Sequence, residues 1–311
     1  MTAKTKQIDR LIEAIESTGN PSALGLDTRP EYLPKAVLAA LPSEPERTED
    51  DIADAVYTFN SALIDALADI VPCVKVQAAY YETLGVAGMR AFRDTLLRAR
   101  SRGMVTIADV KRNDIGATAE AYAAAYLGPS APFSADFVTL NCYLGTDGIL
   151  PFLKRCELCG SGVFVLIRTS NPSAGEFQDL PSGGRPFYEY VGEKTAAWGE
   201  GEGLMGTLGY SSVGAVVGAT WPEEGKRLRA LLPNTFFLVP GYRAQGATAR
   251  DLRGCFGGAS RGGALLGGAV VNASRSLLCA HRKRGTEDFV SAARDEALRM
   301  RGELRAALAG E

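Results

Sequence analysis

The feature that most limits how this chain can fold is an alternation. Eight short apolar runs recur along it, each followed by a helical pattern or a turn-rich loop: Ala23 to Asp27, Val71 to Ala78, Met104 to Ala108, Asp136 to Asn141, Gly162 to Arg168, Val213 to Gly218, Thr235 to Pro240 and Ala264 to Val271. Runs of this length without polar alternation suit strands buried on both faces, as in a parallel sheet covered by helices. The intervening segments predict helices over 5–18, from the acidic patch Glu44–Asp51 to about Asp69, Glu82–Arg100, Ile115–Leu127, Gly148–Arg155 and Phe187–Glu200. A further start lies at Thr220–Glu224, and Thr286–Ala309 closes the chain. No linker separates two cores, so residues 1–311 predict one α/β domain, a (β/α)8 TIM barrel, with a doubly wound sheet as the alternative.

The polar residues favour the barrel. They gather at run ends, at Asp27, Asp109, Lys111, Asn141, Thr169, Ser170 and Asn272, and in a barrel those ends converge on one mouth. Asp109 and Lys111 are two apart and share a strand face. Asp114 follows as the expected N-cap of the helix Ile115–Leu127, which Gly128-Pro129 stops. A lysine therefore stands between two carboxylates at a strand-to-helix turn. Lys75 lies inside the second run, where a lysine needs a partner. A structural ion-pair network is the bland alternative, but buried pairs stabilise poorly compared with apolar packing.

After the fifth run, residues 171–186 are rich in Gly, Pro and Ser, which predicts a surface excursion placed to serve as a lid. The loops after the seventh and eighth runs are where barrels often hold phosphate. They carry Tyr242, Arg243 and Gln245 in a glycine-flanked turn, then Asn272, Ser274 and Arg275 entering a short helix. Arg275 suits bidentate contact with phosphate oxygens.

Composition excludes several functions. A net charge of -2 leaves no basic field for nucleic acid, and no apolar run approaches the ~20 residues of a membrane span. The polar start from Met1 to Arg10 lacks an apolar signal core, which points to the cytoplasm. Six dispersed cysteines read as reduced thiols, and the Cys156/Cys159 pair lacks the second pair or histidines of a zinc site. The single histidine, His281, sits in a basic run and reads as part of a solvated face. With no metal or cofactor site evident, the chemistry must come from Asp and Lys.

Asp109-x-Lys111-x-x-Asp114 with Ile115-Gly116 and Thr118 resembles the signature of the orotidine 5'-phosphate decarboxylase family, and Ala108 to Tyr122 resembles its bacterial type 2 branch. Thr169-Ser170-Asn171-Pro172, the Pro240 to Gly246 turn and Asn272-x-Ser274-Arg275 match in the same order. The resemblance implies conversion of orotidine 5'-phosphate to uridine 5'-phosphate, the last step of de novo pyrimidine synthesis, without a cofactor. It implies Lys111 as proton donor to C6 and Asp109 beside the substrate carboxylate, with Lys75 and Asp114 completing a charge network. Asp27 would hold the ribose, Thr169 and Ser170 the base, and Gln245 and Arg275 the 5'-phosphate. Asp114 and Thr118 would cross a homodimer interface into the partner's site. A phosphate-sugar aldolase or synthase on a similar barrel is the rival enzyme, and a catalytically silent phosphate-binding barrel the other alternative. Carboxylates beside Lys111 hold it protonated, which disfavours a Schiff base.

Overall fold

The computed structural model describes residues 5–243, 246–257 and 266–310. Eight parallel strands close into a barrel: β1 (Ser22–Leu26), β2 (Cys73–Gln77), β3 (Val105–Arg112), β4 (Phe137–Leu140), β5 (Gly162–Arg168), β6 (Ser211–Val217), β7 (Thr235–Val239) and β8 (Ala269–Ala273). Each pairs with its neighbours in sequence, and β8 returns to β1 with Ser22 opposite Val271. The barrel expectation holds, and the doubly wound alternative falls because no sheet edge is left open.

Strand alternation sorts the side chains into two layers. Ala23, Cys73, Val105, Ile107, Phe137 and Phe164 face inward, joined by Ile8, Leu11, Ile12 and Ile15 of the first helix, α1 (Gln7–Thr18). That helix plugs the end where the strands begin. The opposite face of each strand packs beneath the outer helices, including α2 (Glu49–Leu67), α3 (Gly85–Ser101), α4 (Gly116–Tyr126), α5 (Thr146–Cys159), α6 (Phe187–Trp198), α7 (Pro222–Leu231) and α8 (Phe289–Ala309). Among the described residues, no helix is long and apolar enough to cross a membrane.

Continuing the inward series beyond the apolar layer brings polar groups to the mouth. After Ala23 come Gly25 and Asp27, after Cys73 come Lys75 and Gln77, after Ile107 comes Asp109, and after Phe137 comes Thr139. The same period of two that fills the core therefore arrays the charges above it.

Several boundaries differ from expectation. The third strand runs on through the charged residues to Arg112, because Asp109 and Lys75 neutralise each other across neighbouring strands. The helix expected from Glu82 is split into a turn at Ala79–Glu82 and α3, with Leu84 N–H bonding back to Tyr81. The eighth strand starts at Ala269, since Gly267 O accepts from Gly257 N–H and ties that stretch to the preceding loop; Ala264 lies outside the described residues. The excursion has structure of its own, a turn at Gly175–Gln178 and a ribbon pairing Pro181–Ser182 with Arg185–Pro186. His281 corrects the reading of a solvated face. Arg282, Lys283 and Arg284 are exposed but His281 is buried, and burial beside Arg282 pulls its imidazole below the ordinary value.

Candidate active site at the barrel mouth

Four charges alternate across the first three strands. Asp27 Oδ1 lies 3.1 Å from Lys75 Nζ, which lies 2.7 Å from Asp109 Oδ2, and Lys111 Nζ lies 2.6 Å from Asp109 Oδ1. Gln77 Nε2 donates to Asp109 Oδ2 at 2.9 Å, and Thr139 Oγ1 donates to Oδ1 at 2.9 Å, so four donors converge on one buried carboxylate. Burial by itself raises the Asp109 carboxyl, but the charges of Lys75 and Lys111 and their hydrogen bonds overcome that and hold it well below the usual carboxylate range. Burial likewise lowers the Lys75 ammonium, and Asp109 and Asp27 overcome it and raise the group above its ordinary value. Both stay ionised because each is the other's solvation.

Lys111 is held in an unusual backbone. Its φ of 47° is in the left-handed region, where a side chain with a Cβ is disfavoured. Pairing between β3 and β4 slips there, from Ala108 opposite Val138 to Arg112 opposite Leu140. Thr139 Oγ1 accepts from the N–H groups of Val110 and Lys111 at 3.0 and 2.9 Å, replacing ladder bonds that the bulge breaks. The Lys111 side chain is 44% exposed, so its ammonium faces open space at the mouth.

The expectation of Lys111 between two carboxylates needs correction. Among the described residues its ionic partner is Asp109, while the second carboxylate of the array is Asp27, on the far side of Lys75. Asp114 is half-buried and its Oδ1 accepts from Ile115 N–H at 2.8 Å. Nor is Asp114 the N-cap. Helix α4 begins at Gly116 with Ile115 in the cap position, because the extended turn after Lys111 consumes one more residue than expected. Thr118 lies exposed on the first turns of α4, and Ile115 beside it is 55% exposed.

Beside the array a cavity of about 330 Å³ is lined by Asp27, Arg29, Ser170, Asn272, Ser274 and Arg275, among others. It joins the end of β1 to the end of β8. A Cβ on Gly25 would lie 2.0 Å from Ser274 Oγ and 2.7 Å from Asn272 Oδ1, so these two side chains fill the space a larger residue there would need. Arg275 is exposed and has no ion-pair partner among the described residues, which leaves its guanidinium available to an anion. Arg243 is instead engaged by Glu303 and the Tyr242 hydroxyl. Gln245 lies outside the described residues. Thr169 Oγ1 is bonded to Asn171 and Gln178, and its neighbour Ser170 borders the cavity.

Thr139 and Arg29 stand at the mouth as well and are not among the residues expected from the sequence. Thr139 had a signal, a hydroxyl two positions after the inward Phe137. Arg29 follows the first strand by three residues and stacks over Tyr80 at 5.0 Å, a contact between loops that no spacing reveals. Cys156 is buried and Cys159 half-buried, both as free thiols.

A closed parallel barrel with its ionisable groups collected at the ends of the strands defines a (β/α)8 enzyme. Sequence comparison then gives the kind. The chain belongs to the orotidine 5'-phosphate decarboxylase / HUMPS family, whose sequence model matches residues 51–284. The orotidine 5'-phosphate decarboxylase of Clostridium novyi is 42% identical over 303 residues, covering 96% of this chain and 98% of that one. The corresponding protein of Rhodopirellula baltica is 42% identical over 291 residues, covering 92% and 91%. A solved structure from Streptomyces avermitilis superposes with a TM-score of 0.80 at 32% identity, covering 99% of this chain and 98% of that one. The structure of Leishmania donovani OMP decarboxylase gives 0.70 at 27%, covering 96% and 99%.

Proposed function

We propose that this protein decarboxylates orotidine 5'-phosphate to uridine 5'-phosphate in the cytoplasm, as a single barrel domain that works as a homodimer, with fixed charges in place of a cofactor. The observation that carries the reading is the alternating array Asp27, Lys75, Asp109, Lys111 at the mouth, ending in a lysine held in a strained backbone.

Loss of CO2 from a ring carbon without an electron sink leaves its electron pair localised on C6. A cation fixed at that carbon stabilises the charge as it develops. Lys111 is suited to this because its ammonium is fixed 2.6 Å from Asp109 Oδ1 and faces open space at the mouth. The C–C bond breaks, the pair stays on C6, and an Nζ proton is transferred to it. The partly exposed amine then regains its proton from water. The four charges of the array sum to zero, so a substrate carboxylate beside Asp109 adds a third negative charge, and departure as neutral CO2 removes it. Asp27 takes the ribose hydroxyls, Thr169 and Ser170 the base edge, and Arg275 with Gln245 the phosphate. That distant grip supplies binding energy for placing the carboxylate against Asp109.

The test follows the absorbance of orotidine 5'-phosphate with chelator-treated protein. Wild type should convert it, and Lys111→Ala should lower kcat by at least ~10²-fold, the lower bound for losing a positioned proton donor. Absence of turnover in wild type, or undiminished turnover in the variant, would sink the reading. Dependence on added metal would favour a synthase acting through an enediolate.

A further inference from the structure

Arg168 ends β5 and is 1% exposed, the largest of the fully buried side chains described. Strand alternation would send it after Phe164 and Leu166 into the barrel mouth. A bulge prevents this: Leu166 lies opposite Val216 and Arg168 opposite Val217, two steps on β5 for one on β6. The guanidinium is thereby turned outward into a cage. Asp179 Oδ1 lies 2.9 Å from Nη1, Glu224 Oε1 lies 3.7 Å from Nη2, and the rings of Trp221 and Tyr188 cover it at 4.4 and 5.1 Å.

The cage draws together three elements that otherwise share no strand pairing. Asp179 belongs to the excursion, Trp221 and Glu224 to the start of α7, and Tyr188 to α6. Gln178, beside Asp179, and Trp221 of the cage itself hold the residue after Arg168. Gln178 Oε1 accepts from Thr169 N–H at 2.9 Å while its Nε2 donates to Thr169 Oγ1 at 2.7 Å, and Trp221 Nε1 donates to Thr169 O at 2.9 Å. Thr220 Oγ1 donates to Ser170 O at 3.4 Å. Gly218 N–H donates to Arg168 O at 2.7 Å, and a Cβ on that glycine would lie 2.9 Å from Ser170 Cα, so the fit around Ser170 is close on this side too.

We propose that Arg168 is a positioning residue that fixes the Thr169–Ser170 edge of the site by clamping the excursion and Trp221 around it. This rests on the reading that Thr169 and Ser170 meet the pyrimidine. Fold stability is a poor explanation for the arginine. Asp179 is 48% and Glu224 27% exposed, so an apolar side chain at 168 leaves no buried carboxylate stranded, and such exchanges are often neutral. What it would lose is orientation.

Arg168→Met separates these roles. Uridine 5'-phosphate binding should weaken about tenfold, the equivalent of one hydrogen bond to the base, while ribose 5-phosphate, which lacks the base, binds as in wild type. Amide hydrogen exchange should accelerate across residues 169–182 and stay unchanged at the ends of β1 to β3. Equal weakening of both ligands, unchanged affinity for both, or unaltered exchange over 169–182 overturns the proposal. Should the variant not fold, Asp179→Asn, on the exposed side of the clamp, carries the same expectations. Wild type that binds neither ligand defeats the decarboxylase reading instead, and the exchange measurement still decides whether the clamp exists.

Discussion

The left-handed φ of Lys111 is favoured by nothing local: the slipped register against β4 imposes it and Thr139 holds it. Strain of this kind persists only where surrounding contacts over-determine it. Thr139→Val keeps the volume but removes the acceptor for two amides and a donor to Asp109, of which the Val110 amide and the Asp109 carboxylate are buried. Leaving them unpaired should cost about 1–3 kcal/mol, read as a lower urea midpoint, and kcat should fall as Lys111 relaxes. Thr139→Ser, which keeps the hydroxyl, should recover both. A valine variant with wild-type kcat would show that the bent backbone plays no part in placing Lys111.

At the scale of elements, strand existence was readable and strand ends were not. All eight runs became barrel strands, since a short apolar stretch between helical patterns has few other homes. The ends moved where tertiary contacts override local pattern, as at β3, which Lys75 and Asp109 extend, and at β8, delayed by the Gly257 contact. The basic neighbours of His281 dominate the local composition, while one face of its short helix, Ala280–Arg284, turns inward. The array itself cross-links β1, β2 and β3, and so ties stability to pH. Asp109 has a folded-state value below its ordinary 3.8, so its contribution is complete above 3.8 and is lost as pH falls through the folded value. Lys75 is raised above 10.5, so its contribution is complete below 10.5 and lost as pH rises through the folded value. Urea midpoints of Asp109→Asn should therefore decline less steeply than wild type below pH 3.8. Parallel acid limbs would contradict the assignment.

At the scale of the molecule, Ile115 and Thr118 stand exposed next to Asp114, where the proposed homodimer would bring a second chain. A shared site predicts complementation. Lys111→Ala and Asp114→Ala proteins, each inactive, should regain about a quarter of wild-type activity when subunits exchange at equal amounts, the statistical share of one intact site in each mixed dimer, given sites that bury charge and exclude water only when closed. No recovery with verified exchange would remove Asp114 from the partner's site. The two halves of the mouth also differ in how much of the chain they need. All four charges of the array lie between residues 27 and 111, on or just past three consecutive strands, whereas the cavity lined by Asp27 and Arg275 needs β8 to meet β1 across nearly the whole chain. Matching the costly charges therefore needs contacts only among near neighbours in the chain, whereas the cavity beside them needs the last strand to meet the first and the ring to close.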